Sequence, residues 1–181
     1  CLGSHRASDK GSDYASSPRV LDLFAGWGMD GFSLAASGAL VTCVEWQPAM
    51  VALARDSARR VPSELAARLT IVHGEATQVL RQASVGDFDI IYLDPMFPAR
   101  KKGALPNKRL QWLAQLNQSA PDTETTDSGS TESSLESLIE LSVSRAGKQV
   151  VLKRRRKDPV TATPARQITG SSVRYDIYLA S

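Results

Sequence analysis

Short apolar runs alternate with segments of helical periodicity along most of the chain, beginning at residue 19. The runs that predict buried strands are residues 20–24, 40–45, 69–73 and 89–93. The segments that predict helices between them are residues 30–37, the stretch that starts at Pro48, and residues 76–82. Because crossovers between successive parallel strands are right-handed, this order predicts a parallel sheet with helices on both faces.

The C-terminal part continues the alternation and then departs from it. Helices are predicted at residues 109–116 and 135–145, and strands at residues 149–153 and 173–179. No helical pattern occupies residues 159–170, so we expect the last two strands to form an antiparallel hairpin at the sheet edge. The predicted fold class is therefore α/β and Rossmann-like, with a mostly parallel sheet and an antiparallel edge.

Composition separates a globular part from two polar segments. The chain has 181 residues, of which 42% are hydrophobic, and this supports one sizeable core, assigned to a domain at residues 18–181. Residues 1–17 are polar and rich in glycine and serine, and we interpret them as disordered or as a cloning remnant. Residues 117–134 are predicted to form a flexible loop, because their Ser, Thr, Asp and Glu content buries too little apolar surface to offset the ordering entropy.

The sequence argues against several classes of protein. No apolar run approaches the roughly 20 residues of a membrane span, so no membrane partner is predicted. Cys1 and Cys43 give neither a disulfide framework nor a metal-ligand set, and no metal is predicted. Cys43 lies in an apolar run and is expected to be a small core residue. A net charge of +3 and a pI near 9.0 mildly favour a polyanionic partner.

A glycine-containing turn and an acidic residue follow the first two predicted strands. Gly26 and Gly28 permit a sharp turn and a close approach of a ligand to the backbone. Glu45 ends the second strand, where a carboxylate can accept hydrogen bonds from both hydroxyls of a ribose. Together they predict an adenosine-type ligand, which leaves nicotinamide dinucleotides and S-adenosylmethionine open. Asp30 favours S-adenosylmethionine, because at the start of a helix its carboxylate would attract a cationic amino-acid group and repel a pyrophosphate; it can also serve as a helix N-cap.

The turn after the fourth predicted strand is Asp94-Pro95-Met96-Phe97-Pro98, in which two prolines around an aromatic residue stiffen the backbone. Asp94 and the carbonyl of Pro95 can accept the hydrogens of an exocyclic amine. Phe97 can stack on a base, a contact worth roughly 1–3 kcal/mol. Methyl transfer to such an amine needs this set, because orienting the nitrogen contributes more than a strong base would. Asp94, Pro95 and Phe97 are therefore the predicted catalytic residues.

Basic residues follow this turn closely; they are Arg100, Lys101, Lys102, Lys108 and Arg109. Their place beside a predicted base pocket indicates contacts with the phosphates of RNA, which carry no sequence information by themselves. A second basic run, residues 153–157, is expected to contribute less, because it follows a strand end and can point into solvent. The alternative for both runs is a solvated surface without a binding role.

These residues together resemble the RsmJ family, whose members methylate guanine N2 in small-subunit ribosomal RNA. The resemblance extends from about residue 19 to about residue 179 and is most specific in the Asp-Pro-Met-Phe-Pro stretch. It implies a class I methyltransferase fold, S-adenosylmethionine as cofactor, and ribosomal RNA or the small ribosomal subunit as partner. By this resemblance the donor would contact Met29, Asp30, Glu45, Trp46, Glu75, Ala76 and Asp94, besides the turn at Gly26 and Gly28.

The chain departs from the family pattern in three places. Little of the family's additional N-terminal region is present, and Glu75 and Ala76 stand where small hydroxyl residues are usual. The acidic insertion at residues 117–134 makes a eukaryotic protein conceivable, so the expected location is the cytoplasm for a bacterial protein and the cytosol or mitochondrion for a eukaryotic one.

Three alternatives to this family function are open. The chain could methylate another exocyclic amine, in DNA adenine or protein glutamine, or it could be a ribosome-assembly factor that keeps the fold without catalysis. A nicotinamide-dependent reductase is the most distant alternative, since no suitable catalytic pair is found.

Overall fold

The computed structural model describes residues 16–95 and 128–181 of the chain. The strands in these residues are β1 (Arg19–Asp22), β2 (Leu40–Glu45), β3 (Leu69–His73), β4 (Ile90–Leu93), β5 (Gln149–Arg155), β6 (Arg166–Thr169) and β7 (Val173–Leu179). The helices are α1 (Met29–Ala36), α2 (Pro48–Arg60), α3 (Ser63–Ala66), α4 (Ala76–Gln82) and α5 (Ser128–Arg145). None of the described helices is long and apolar enough to cross a membrane.

The described strands form one sheet with the order β3-β2-β1-β4-β5-β7-β6. The neighbours from β3 to β5 are parallel, whereas β7 is antiparallel to β5 and β6 is antiparallel to β7. The predicted α/β fold with a mostly parallel sheet and an antiparallel edge is therefore confirmed. Strand order reverses between β1 and β4, and in such sheets ligands bind beyond the carboxyl ends of the strands at this reversal.

The sheet has an apolar layer on each face, because successive strand residues point to opposite sides. On one face, Leu21 and Ile91 pack in a cluster that includes residues of α4 and α5. On the other, Val20 and Cys43 pack with the apolar side of α1. Burial, with a smaller contribution from the charge of Asp22, raises the pKa of the Cys43 thiol to about 12, so Cys43 is an unreactive core residue, as predicted.

The sequence analysis did not predict strand β6, and its presence changes which strand forms the edge of the sheet. The last two predicted strands do pair antiparallel, but β7 lies between β5 and β6, so β6 and not β7 is the edge. All four side chains of β6 are exposed, and an exposed edge strand shows no alternation of apolar and polar positions to reveal it.

Helix α5 begins at Ser128, so residues 128–134 are helical and that part of the predicted loop is wrong. The apolar side of α5 packs on the sheet through Leu135, Leu138 and Ile139. A helix anchored in this way extends into adjacent residues, because propagation is much easier than nucleation. The predicted loop at 117–127, the predicted helix at 109–116 and residues 1–15 lie outside the described residues.

Candidate functional site

A cleft of about 800 Å³ lies at the carboxyl ends of β1, β2, β4 and β5, where the sheet topology places a ligand site. The residues predicted from the sequence that line it are Gly26, Met29, Asp30, Glu45, Trp46, Glu75, Ala76, Asp94 and Pro95. Gly28 does not line it. A smaller apolar recess of about 300 Å³, which Asp30 also lines, lies beside α1 and contains no other predicted site residue. The larger cleft is therefore the candidate functional site.

Glu45 fastens the glycine turn to the end of β2. Its Oε2 accepts a hydrogen bond of 2.9 Å from the backbone N–H of Gly26, and its Oε1 accepts one of 2.8 Å from Gln47. The side chain is largely buried but still lines the cleft. Since each carboxylate oxygen can accept more than one hydrogen bond, Glu45 can shape the turn and also face a ligand.

The glycines of the turn have separate structural roles. Gly26 and Gly28 have φ values of +55° and +96°, in the left-handed region that favours glycine. Gly31 completes a Gly-x-Gly-x-x-Gly spacing with them, and its role is packing, because a Cβ there would clash with the Sγ of Cys43. This spacing also occurs in dinucleotide-binding loops. The acidic residues of the cleft, and not the glycines, therefore distinguish a site for S-adenosylmethionine from a site for a nicotinamide dinucleotide.

Lys153 joins two of the predicted acidic residues, whereas the sequence had placed it in a basic run expected to contribute weakly to RNA binding. Its Nζ lies 2.6 Å from Oδ2 of Asp30 and 3.0 Å from Oδ2 of Asp94. The hydroxyl of Tyr92 donates a further hydrogen bond of 2.8 Å to Oδ2 of Asp30. Partial burial opposes the ionisation of Asp30, but the hydrogen bonds from Lys153 and Tyr92 outweigh it and hold the pKa of Asp30 below its ordinary value.

Asp22 is a site residue that the sequence reasoning missed. It is only 1% exposed, lines the cleft, and neither carboxylate oxygen forms a hydrogen bond with the described residues. The pKa of Asp22 is raised from the ordinary 3.8 to about 7, chiefly by burial and in addition by the charges of Asp30 and Asp94, whereas a backbone contact with Phe24 and the charge of Lys153 act to lower it. An acid at the end of an otherwise apolar strand was the available signal, the same one that identified Glu45.

The turn after β3 places Glu75 as the N-cap of α4. Its carboxylate accepts hydrogen bonds from the hydroxyl and backbone N–H of Thr77 and from the backbone N–H of Gln78, and together these outweigh partial burial and hold the pKa of Glu75 below its ordinary value. Trp46 is 47% exposed and lines the cleft next to Glu45, so its ring is available to a planar ligand.

The second basic run divides into residues with different roles. Lys153 lies in the cleft, and Arg154 is buried with a 3.5 Å ion pair to Asp158. Only Arg155, Arg156 and Lys157 are exposed. The predicted catalytic residue Phe97 and the predicted phosphate contacts Arg100, Lys101, Lys102, Lys108 and Arg109 lie outside the described residues.

Several known proteins that resemble this chain are methyltransferases. A family model of SAM-dependent methyltransferases matches residues 5–180. The crystal structure of a SAM-dependent methyltransferase from Neisseria gonorrhoeae superposes with a TM-score of 0.65 at 31% identity, covering 93% of this chain and 64% of that one. An RNA methyltransferase from Salinibacter ruber, solved with S-adenosyl-L-homocysteine, has a TM-score of 0.55 at 15% identity, covers 90% of this chain and 80% of that one, and so shares the fold. The chain thus belongs to a family of SAM-dependent methyltransferases and shares their fold.

The curated relatives of this chain belong to one family of methyltransferases. Ribosomal RNA small subunit methyltransferase J of Pseudomonas paraeruginosa is 40% identical over 168 residues, which are 89% of this chain and 60% of that protein. The protein of the same name from Agrobacterium fabrum is 34% identical over 171 residues, with 90% and 75% covered. The chain belongs to the ribosomal RNA small subunit methyltransferase J family. It spans about 60% of the length of the Pseudomonas relative, and since both relatives are bacterial, they lend no support to a eukaryotic location.

The cleft fits the family's cofactor, S-adenosylmethionine. Apart from its two chain neighbours, no atom of the described residues lies within 4 Å of the position a Cβ would take at Gly26, so the turn leaves room for a ligand against the backbone. Asp22 offers an unpaired carboxylate to a cationic donor, and Trp46 offers a flat apolar surface. A pyrophosphate would enter a cleft lined by Asp22, Asp30 and Asp94, whose negative charge Lys153 balances only in part, and this disfavours a nicotinamide dinucleotide.

Proposed function

We propose that this chain binds S-adenosylmethionine and transfers its methyl group to the exocyclic amine N2 of a guanine in small-subunit ribosomal RNA. One observation carries the proposal: Asp94 and Pro95 line the same cleft as the glycine turn and Glu45. The residues suited to orient an amine therefore lie beside those suited to hold the donor. The names of the curated relatives support ribosomal RNA of the small subunit as substrate.

The donor half of the cleft is built from the turn at Gly26 together with Asp22, Asp30, Glu45 and Trp46. Glu45 would accept hydrogen bonds from the ribose, and Trp46 would pack on the adenine. The carboxylates of Asp22 and Asp30, at the acidic floor of the cleft, would attract the cationic amino-acid part of the donor. When bound, S-adenosylmethionine supplies a methyl group on a positively charged sulfur, which is electrophilic without further activation.

The substrate half centres on Asp94. Its carboxylate and the carbonyl of Pro95 would accept the two hydrogens of the amine, so that the nitrogen lone pair points toward the donor half. Phe97, outside the described residues, is the candidate for stacking on the base. No strong base is required during attack, because the proton can leave once the nitrogen has become cationic; orientation therefore provides most of the rate increase.

The exposed cations at the end of β5 offer RNA a route to the cleft. Arg155, Arg156 and Lys157 follow Lys153 within four positions, so they lie roughly 7–13 Å along the chain from a cleft residue. Together with Arg100 and its basic neighbours, they are the proposed contacts for phosphates that flank the target base.

Methyl transfer by the full chain from labelled S-adenosylmethionine tests the proposal. Deproteinised small-subunit RNA, intact small subunits, duplex DNA and a protein pool serve as acceptors, and mass spectrometry identifies the modified nucleoside. We expect label only in the RNA-containing samples, as N2-methylguanosine. Label in DNA adenine or protein glutamine would show that ribosomal RNA is not the substrate. Donor binding without any methyl transfer would favour an assembly factor.

The catalytic assignment is tested with Asp94→Ala, which should lower the rate at least about 100-fold because the amine is no longer oriented. Asp56→Asn is the matched control, since Asp56 forms an exposed ion pair with Arg60 on α2, away from the cleft. Near-normal turnover by a folded Asp94→Ala variant would contradict the role of Asp94.

A further inference from the structure

Among the described residues, Lys153 is the cation that balances several carboxylates at the floor of the cleft. Asp22, Asp30, Asp94 and Lys153 all line it, and the Nζ of Lys153 is within hydrogen-bond distance of both Asp30 and Asp94. The cluster has contributions from β1, from α1, from the turn after β4 and from β5. Asp30 belongs to the donor half and Asp94 to the substrate half, so Lys153 connects the two halves directly.

We propose that Lys153 is a positioning residue that holds Asp94 beside Asp30 and favours the ionised forms of Asp22 and Asp30 before a donor binds. This role deepens the proposed function and rests on it for the part that concerns Asp94. The effect of Lys153 on the ionisation of Asp22 and Asp30 requires only that the donor binds, so it can be tested without RNA.

Geometry supports a positioning role over a surface ion pair. The side chain of Lys153 is only 22% exposed, whereas Lys148, at the other end of the strand region, is 71% exposed in its pair with Asp89. Asp30 is also fixed by the hydroxyl of Tyr92, so Lys153 reaches an acid whose position is already set. An ammonium tied at this point restricts where the carboxylate of Asp94 can lie.

The charges around Lys153 explain why the floor needs a cation. The ionisable groups facing it are Asp22 from β1, Asp30 from α1, Tyr92 and Asp94 from β4 and its turn, and Tyr175 opposite it on β7. Glu45 and Glu75 line the same cleft from farther strands. Without Lys153, the pKa values of Asp22 and Asp30 would increase, because each loses an interaction that lowers it.

Proton release on donor binding tests this role. Calorimetry of S-adenosylmethionine binding at pH 7, in buffers of different ionisation enthalpy, gives the number of protons released. Wild type should release a fraction of a proton, because the cationic donor lowers the pKa of Asp22, which is about 7 in the free protein. Lys153→Met should release a different number of protons, because loss of the ammonium raises the pKa values of Asp30 and Asp22 in the free protein. Lys153→Arg should resemble wild type, and Lys148→Met is the matched control.

Equal proton release by Lys153→Met and wild type would overturn the proposal. If Lys153→Met is too unstable to measure, Lys153→Arg decides: wild-type affinity and proton release support a role of the charge, and loss of donor binding contradicts it.

RNA methylation gives an independent reading of the role toward Asp94. Lys153→Met should lower kcat about 10- to 100-fold with little change in KM for RNA, because the amine is misplaced while the phosphate contacts remain. The acid limb of its pH profile should move to higher pH, and Lys153→Arg should recover most of kcat. An unchanged kcat would contradict the positioning of Asp94. Absence of transfer by wild type itself would count only against the proposed function, since proton release does not involve RNA.

Discussion

Replacing Asp22 by Asn should make the protein more stable at alkaline pH and less able to bind its donor. Asp22 is buried without a hydrogen bond to the described residues, and burial above all raises its pKa from the ordinary 3.8 to about 7. Between these two pH values the unfolded chain releases the proton while the folded protein retains it. The free energy of unfolding therefore decreases as pH rises from about 4 to 7, and above pH 7 the full penalty applies.

The interval from 3.8 to about 7 corresponds to an upper limit of about 4 kcal/mol. The amide of Asn is also left without hydrogen bonds, and a buried unsatisfied polar group costs roughly 1–3 kcal/mol. We therefore expect Asp22→Asn to gain about 1–3 kcal/mol at pH 8.5 and to differ little from wild type at pH 5. Below about pH 4 the contribution of Asp22 vanishes, because the carboxyl group is protonated in both states.

Urea denaturation at a series of pH values, without donor, measures this difference. The Asp56→Asn variant controls for the loss of one surface carboxylate. Donor affinity, measured by calorimetry at pH 8, should be about tenfold lower in Asp22→Asn, because one charge facing the cationic donor is lost. A variant that is less stable than wild type at pH 8.5, or that keeps the wild-type pH dependence, would refute the account of Asp22.

Two further predictions concern the donor turn and the RNA surface. Glu45→Ala should weaken donor binding by roughly 1.5–3 kcal/mol and also lower Tm, because the backbone N–H groups of Gly26 and Gln47 lose their acceptor; unchanged donor affinity in calorimetry would remove Glu45 from the donor site. Neutralising residues 155–157 or residues 100–102 should lower RNA affinity and flatten its logarithmic salt dependence by roughly 0.7 per lost contact on single strands, with donor affinity unchanged. A wild-type salt slope in either triple variant, measured by filter binding, would return that run to the role of a solvated surface.

The sequence alone determined which segments along the chain form the central strands and helices, because apolar runs and helical periodicity show which residues are buried. It also located the glycine turn, Glu45, Asp94 and Pro95, because residues at the carboxyl ends of parallel strands must meet at one edge of the sheet. The exposed strand β6 and the start of α5 lacked an apolar pattern, so neither could be predicted from it.

Only the tertiary structure decided how the acidic residues of the cleft are paired. Lys153 and Asp30 are 123 positions apart in sequence, and their contact exists because β5 and α1 meet at the same end of the sheet. From the sequence, Lys153 belonged to a run of five basic residues, and nothing distinguished it from its neighbours. The alternation of side chains along β5 turns Lys153 toward the cleft and Arg154 toward the opposite face, and this separates one functional cation from a structural one.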